Sequence, residues 1–262
     1  MSALPDGLRE AVSGLAAAPA VLLAFDFDGV LAPIVEEPGS ARALPASAEA
    51  LAALAALDAA DRVRVALVSG RAMDSLREVS GPPEGALLVA SHGAEGDGVP
   101  SELDDDQRAL LGRVVDAVHA VVEAHPGTSL ELKPAGAVLH TRSADRRAAA
   151  EASRQVEEGP GSWEGVRSLR GKEVVELSVV EADKGSALTA LRDRLAERSG
   201  ARPAVLYAGD DVTDEDAFRA LDRSAGDVGV KVGEGETAAE FRVGTPEDVS
   251  ALLQHLVSVL RG

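Results

Sequence analysis

The 262-residue chain carries 44 acidic against 26 basic residues, a formal charge of −18, so it repels nucleic-acid backbones and anionic membranes, and an anionic ligand needs a local positive site. A hydrophobic fraction of 45% with only 2% aromatics supplies an aliphatic core and few rings for stacking on bases. With no cysteine, disulfides, thiolate metal sites and thiol nucleophiles are excluded, and a reducing, cytoplasmic compartment is the expectation.

In chain order, the uncharged run Ala11–Phe25 comes first; it is shorter than the ~20 residues a membrane-spanning helix needs and is divided by Pro19. It reads as the end of a helix joined to a buried strand. Asp6 and Glu10 flank Arg9 ahead of it, which is not the positive start of a secretory leader. Short apolar runs bounded by turn residues recur at Val21–Phe25, Val63–Val68, Ala86–Ala90, Ala204–Ala208 and Val228–Val232, the pattern of parallel strands buried on both faces. Helical stretches at Ser47–Ala60, Lys184–Arg198 and Pro246–Leu260 alternate with them, predicting an α/β core with a doubly wound, Rossmann-like parallel sheet.

Between these halves the rhythm changes. A helix near Asp104–Ala124 precedes strands Ser129–Lys133 and Ala137–Thr141 about Pro134-Ala135-Gly136; a helix near Ala144–Glu158 precedes a hairpin of Val166–Leu169 and Glu173–Leu177 turning at Arg170-Gly171-Lys172. This predicts a smaller, inserted α+β cap domain. The expected division is a core of residues 1–98 and 178–262 around a cap of residues 99–177, with crossings near Gly96–Val99 and Ser178–Ala182.

Strand one ends in Phe25-Asp26-Phe27-Asp28-Gly29, which sends two carboxylates from the sheet edge where ligands bind in open α/β folds. A second strand ends in Val68-Ser69-Gly70-Arg71, a helix starts at Asp183-Lys184-Gly185, and a further strand ends in Gly209-Asp210-Asp211-Val212-Thr213-Asp214. Taken singly each has a plainer reading: Ser69 or Asp214 as a helix cap, Asp210 and Asp211 as a solvated loop, Lys184 as a surface lysine. As a set in this order they describe a crevice of carboxylates that needs positive charge, supplied by Lys184 and a divalent cation. Mg²⁺ suits oxygen donors from Asp26, Asp210 and the backbone carbonyl of Asp28. Asp26 is an apt nucleophile toward phosphorus, being ionised at neutral pH, with Asp28 as acid and then base, and Ser69 and Lys184 holding the transferring oxygens.

These motifs resemble the haloacid dehalogenase superfamily of phosphotransferases. More narrowly, Val68-Ser69-Gly70-Arg71, Ser91-His92-Gly93-Ala94-Glu95 and Gly209-Asp210-Asp211-Val212-Thr213-Asp214-Glu215-Asp216 are similar to the signatures of the trehalose-6-phosphate phosphatase family. Glu131-x-Lys133 and His140-x-Arg142 resemble that family's sugar-binding strand pair. The resemblance implies a Mg²⁺-dependent phosphatase whose cap closes over the sugar. It further implies Glu131, Lys133 and Glu176 as hydroxyl contacts, His140 and Arg142 nearby, and Gly70, Arg71, His92 and Gly93 beside the substrate. A small-molecule sugar phosphate, no nucleic acid or membrane partner, and a monomer are the expectations. The chain departs from the pattern at Val30, where threonine is usual, and at Ser178-Val179, where arginine and proline are usual. Two alternatives stand beside this reading: a phosphatase for another saccharide or pseudo-disaccharide phosphate, and a non-catalytic module that binds sugar phosphate.

Overall fold

The computed structural model describes residues 4–57, 62–97 and 103–261. The expected end of a helix at Ala60, and the expected crossing at Gly98 and Val99, lie outside the described residues. The chain divides into two compact units, Met1–Val99 with Asp183–Gly262, and Pro100–Ala182.

The first unit opens with α1 (Asp6–Leu15), β1 (Val21–Phe25), α2 (Pro45–Ala55), β2 (Val63–Val68), α3 (Met73–Ser80), β3 (Leu87–Ala90) and β4 (Glu95–Gly96). The second unit follows as α4 (Asp105–Ala124), β5 (Ser129–Lys133), β6 (Gly136–His140), α5 (Arg146–Glu158), β7 (Arg167–Gly171) and β8 (Val174–Ser178). The chain then returns to the first unit through α6 (Lys184–Ser199), β9 (Ala204–Gly209), α7 (Glu215–Ala220), β10 (Val228–Val232), β11 (Phe241–Val243) and α8 (Pro246–Arg261).

Seven strands of the first unit form one sheet in the order β11-β10-β9-β1-β2-β3-β4, parallel except for the β3–β4 pair. β1 lies at the centre and is buried along its whole length. Val21, Leu23 and Phe25 pack into one layer with α1, α2, α3 and α8, while Leu22 and Ala24 pack into the other with α6 and α7. Side chains that alternate between two buried faces leave an unbroken apolar run in the sequence, which is why these strands are legible there. The two edge strands β4 and β11 have only two and three residues and leave no such pattern. Val30, where the family pattern has threonine, is fully buried in the first layer, an apolar site that a hydroxyl would not suit.

In the second unit a four-stranded antiparallel sheet runs β5-β6-β8-β7. Ala137, Leu139, Val175 and Leu177 turn to one face and pack on Val114 and Val118 of α4 and Ala152 and Val156 of α5. Both hairpins are tighter than the sequence suggests. Register pairs Lys133 with Gly136 and Gly171 with Val174, leaving Pro134-Ala135 and Lys172-Glu173 as two-residue turns. Glu173 takes the left-handed backbone this requires, with φ +60°. Among the described residues, no helix is long and apolar enough to cross a membrane.

Candidate active site

The site grows from the end of β1. The Asp26 amide donates to the Ala208 carbonyl at 2.9 Å, extending the β1–β9 ladder one residue past the strand. Its carboxylate is nearly buried; Oδ1 accepts the Phe27 amide and Oδ2 accepts Lys184 Nζ, both at 2.6 Å. Lys184 is the first residue of α6, whose start is held by reciprocal bonds between Asp183 and Ser186. Its buried ammonium also donates to Asp214 Oδ1 at 2.7 Å. Asp214 accepts the Tyr207 hydroxyl at 2.6 Å and the amides of Asp210 and Asp211 at 2.9 Å each. The Asp214 side chain therefore does not cap α7 but closes the short 3-10 turn Val212–Asp214 by accepting the Asp211 amide; four donors occupy its two oxygens, and it anchors the turn that presents Asp210.

Oxygens of Asp26, Asp210 and Asp214 lie within 4.8 Å of one another. Gly29 makes this approach possible. Its φ of +72° turns the chain after Asp28, and a Cβ there would occupy the Asp210 carboxylate.

Lys184 bonded to two of three carboxylates, with Lys231 at the backbone of the third, leaves the cluster short of positive charge. Burial, aided by the Asp214 and Asp210 charges, pushes Asp26 up to about 8 although Lys184 opposes it. Burial and Asp214 push Asp210 up to about 6. Burial also works against the charged forms of Asp214 and Lys184, but attraction prevails: Lys184 holds Asp214 below an ordinary carboxylate, and Asp26 and Asp214 hold Lys184 above an ordinary ammonium. With protein groups alone, then, Asp26 is not the freely ionised carboxylate the sequence suggests. Asp26 and Asp210 are oxygen donors with too little countercharge for their burial, which fits a hard divalent cation, whereas Asp214 has no lone pair left to give.

Asp28 points its carboxylate at Arg71, which grips it with Nε at 2.6 Å and Nη2 at 2.7 Å. Arg71 is thus committed to the acid rather than placed for substrate alone, and it also donates to Ser75 at 3.2 Å. Ser69 is buried after β2, where its hydroxyl accepts the Arg71 amide at 3.3 Å. Its carbonyl accepts the His92 amide at 3.0 Å, while the Arg71 carbonyl accepts Ser91 at 2.8 Å. Ser91 and His92 both sit in the left-handed region, with φ of 50° and 53°. Such strain costs about 1–3 kcal/mol per residue and collects at functional sites. The His92 ring lies over Gly70, where a Cβ would strike it. Ser69, Gly70, Arg71, His92 and Gly93 are thereby brought together.

In the second unit, register places Glu131, Val138 and Glu176 in one row and Lys133, Gly136, Ser178 and Arg167 in the next but one along the strands, all on the face opposite the helices. His140 lies on that face as well. Lys133 Nζ meets Glu176 Oε1 at 2.8 Å, and His140 Nε2 meets Glu131 Oε2 at 2.7 Å. Arg142 follows the end of β6 and is exposed. Arg167, absent from the sequence expectations, shares this face and donates to the Ala182 carbonyl.

The trehalose-phosphatase family model matches residues 24–246. The chain belongs to the trehalose-phosphatase family. It is 35% identical to the trehalose-phosphate phosphatase of Mycobacterium tuberculosis, over all of this chain and 68% of that protein. Among solved structures, the C-terminal domain of Candida albicans trehalose-6-phosphate phosphatase superposes with a TM-score of 0.76 at 22% identity, covering 98% of this chain and 99% of that one. Aspergillus fumigatus trehalose-6-phosphate phosphatase gives 0.67 at 28% identity, with the same coverage.

For this trehalose-phosphatase family member, sequence reasoning missed Tyr207 and left the role of Asp214 open. The signal for Tyr207 was its place as the chain's one tyrosine, on an otherwise apolar strand ending at the acidic cluster. Tyr207→Phe should lower stability by about 1.5–3 kcal/mol, the worth of a buried hydrogen bond to a carboxylate, as read by urea unfolding. Turnover should stay close to wild type, because Asp214 keeps its bonds to Lys184 and two amides.

Proposed function

We propose that this chain is a Mg²⁺-dependent phosphatase that hydrolyses trehalose 6-phosphate to trehalose and inorganic phosphate. The observation that carries the chemistry is a nearly buried carboxylate, Asp26, bonded to a buried lysine at a sheet edge and crowded by Asp210. Asp26 forms a bond to phosphorus as the ester oxygen departs, and Asp28, oriented by Arg71, gives that oxygen its proton. Asp28 then takes a proton from the water that attacks phosphorus, which breaks the Asp26–phosphorus bond and releases phosphate. Lys184 and Ser69 hold the transferring oxygens, and charge stabilisation there supplies much of the rate. Asp26, Asp210 and the Asp28 carbonyl would hold Mg²⁺, which supplies the countercharge that keeps Asp26 ionised and offsets the phosphoryl charge.

The sugar contacts in this proposal are Glu131, Lys133 and Glu176 of the second unit, with His140 and Arg142 near them; His92 and Gly93 of the first unit are separate candidates for the substrate. Support comes from the pairing of Lys133 with Glu176 and of His140 with Glu131 on one sheet face, and from the family. Lys133→Met and Glu176→Gln should each reduce kcat/KM for trehalose 6-phosphate by about 10- to 100-fold, the effect of losing one charged hydrogen bond, while sparing p-nitrophenyl phosphate turnover. Equal losses on both esters would mean the pair supports the fold and not the sugar. The deciding assay is phosphate release from trehalose 6-phosphate, glucose 6-phosphate and sucrose 6-phosphate, with Mg²⁺ and with chelator. Preference for another ester keeps the chemistry and replaces the sugar; no release from any ester overturns the proposal in favour of a binding module.

A further inference from the structure

β10 reads Val-Gly-Val-Lys-Val and all five residues are buried, Lys231 to 4% exposure. Lysine is among the residues least often found fully buried, and an ammonium withdrawn from water must be compensated locally. Parallel register pairs Lys231 with Gly209, the residue immediately before Asp210. From there Nζ donates to the backbone carbonyl of Asp210. The Asp210 amide is held on its other side by Asp214 at 2.9 Å. The Asp210 carbonyl is therefore fastened by a charged group from β10 and its amide by a charged group within its own turn, while Gly29 leaves room for the carboxylate. The Lys231 charge also opposes the rise that burial and Asp214 impose on Asp210. No step of the proposed hydrolysis uses this lysine.

We propose that Lys231 is a positioning residue that fixes Asp210 in the orientation needed to bind a divalent cation. This rests on the reading of Asp26 and Asp210 as cation ligands. A local break in an otherwise apolar strand is where a functional requirement is expected to show, and partners that orient a metal-binding carboxylate are worth about 10- to 100-fold in metal affinity.

The test is Mn²⁺ titration of the full chain without substrate, followed by the paramagnetic resonance of free Mn²⁺, for wild type, Lys231→Met and Lys231→Arg. Lys231→Met should bind Mn²⁺ about 10- to 100-fold more weakly with its circular dichroism preserved, and Lys231→Arg, which keeps charge and donors, should recover much of the loss. The Mg²⁺ concentration that half-saturates phosphate release should rise in Lys231→Met, with kcat regained at saturating Mg²⁺. Unchanged Mn²⁺ affinity in Lys231→Met overturns the proposal, as does a lower unfolding midpoint in chelator with no change in metal affinity. Should Lys231→Met not fold, Lys231→Gln carries the same comparison. A wild type that binds no Mn²⁺ removes the cation-site reading itself, a failure visible before any variant is compared.

Discussion

Asp26→Asn is expected to reduce phosphate release from trehalose 6-phosphate by about a thousand-fold or more while leaving the protein folded. The two halves of this expectation have separate causes. An amide cannot form the covalent bond to phosphorus, so the first step is lost and not merely slowed by poorer binding. Stability should hold or rise, because ionising Asp26 is costly: burial and its carboxylate neighbours push it up to about 8 although it shares a lysine with Asp214. A neutral side chain removes that repulsion, and Lys184 keeps its bond to Asp214. Such a trade is typical of sites shaped for turnover instead of stability. The measurements are phosphate release with Mg²⁺ and urea unfolding by circular dichroism. A folded Asp26→Asn protein with wild-type turnover would end the assignment of Asp26 as nucleophile.

The strands were readable because β1, β2 and β9 are buried on both faces and so appear as unbroken apolar runs, with the acidic and polar clusters just past their ends. What the sequence left open is side-chain pairing across long separations. Arg71 and Asp28 stand 43 positions apart, as do Lys133 and Glu176, and only the folded register shows that each pair is an ion pair. Protonation was hidden for the same reason. Whether Asp26 is ionised depends on how deeply it is buried and which charges surround it, and neither is a local property of the chain. Lys231 did leave a trace, a lone charge inside Val228–Val232, but a strand read for its apolar residues conceals what its one exception does.

Lys184→Met is expected to lower stability by about 3–5 kcal/mol, because it strands two buried carboxylates that share one cation. Methionine keeps most of the stem's volume, so the loss isolates the charge and its hydrogen bonds. Asp214 retains Tyr207 and two backbone amides, whereas Asp26 keeps only the Phe27 amide, so Asp26, already pushed up to about 8 with the lysine in place, is the group that holds its proton more tightly still. Turnover should fall about 100- to 1,000-fold, the scale of losing one positioned donor to a developing charge. Mg²⁺ should restore part of the stability, since a cation at Asp26 and Asp210 replaces some of the missing countercharge, but little of the turnover, since it cannot replace the ammonium on the transferring oxygens. Urea unfolding in chelator and in Mg²⁺, set beside phosphate release, separates these effects. If Lys184→Met is as stable as wild type in chelator, Asp26 and Asp214 can settle their repulsion with a shared proton. Lys184 would then serve the phosphoryl group alone and not the integrity of the site.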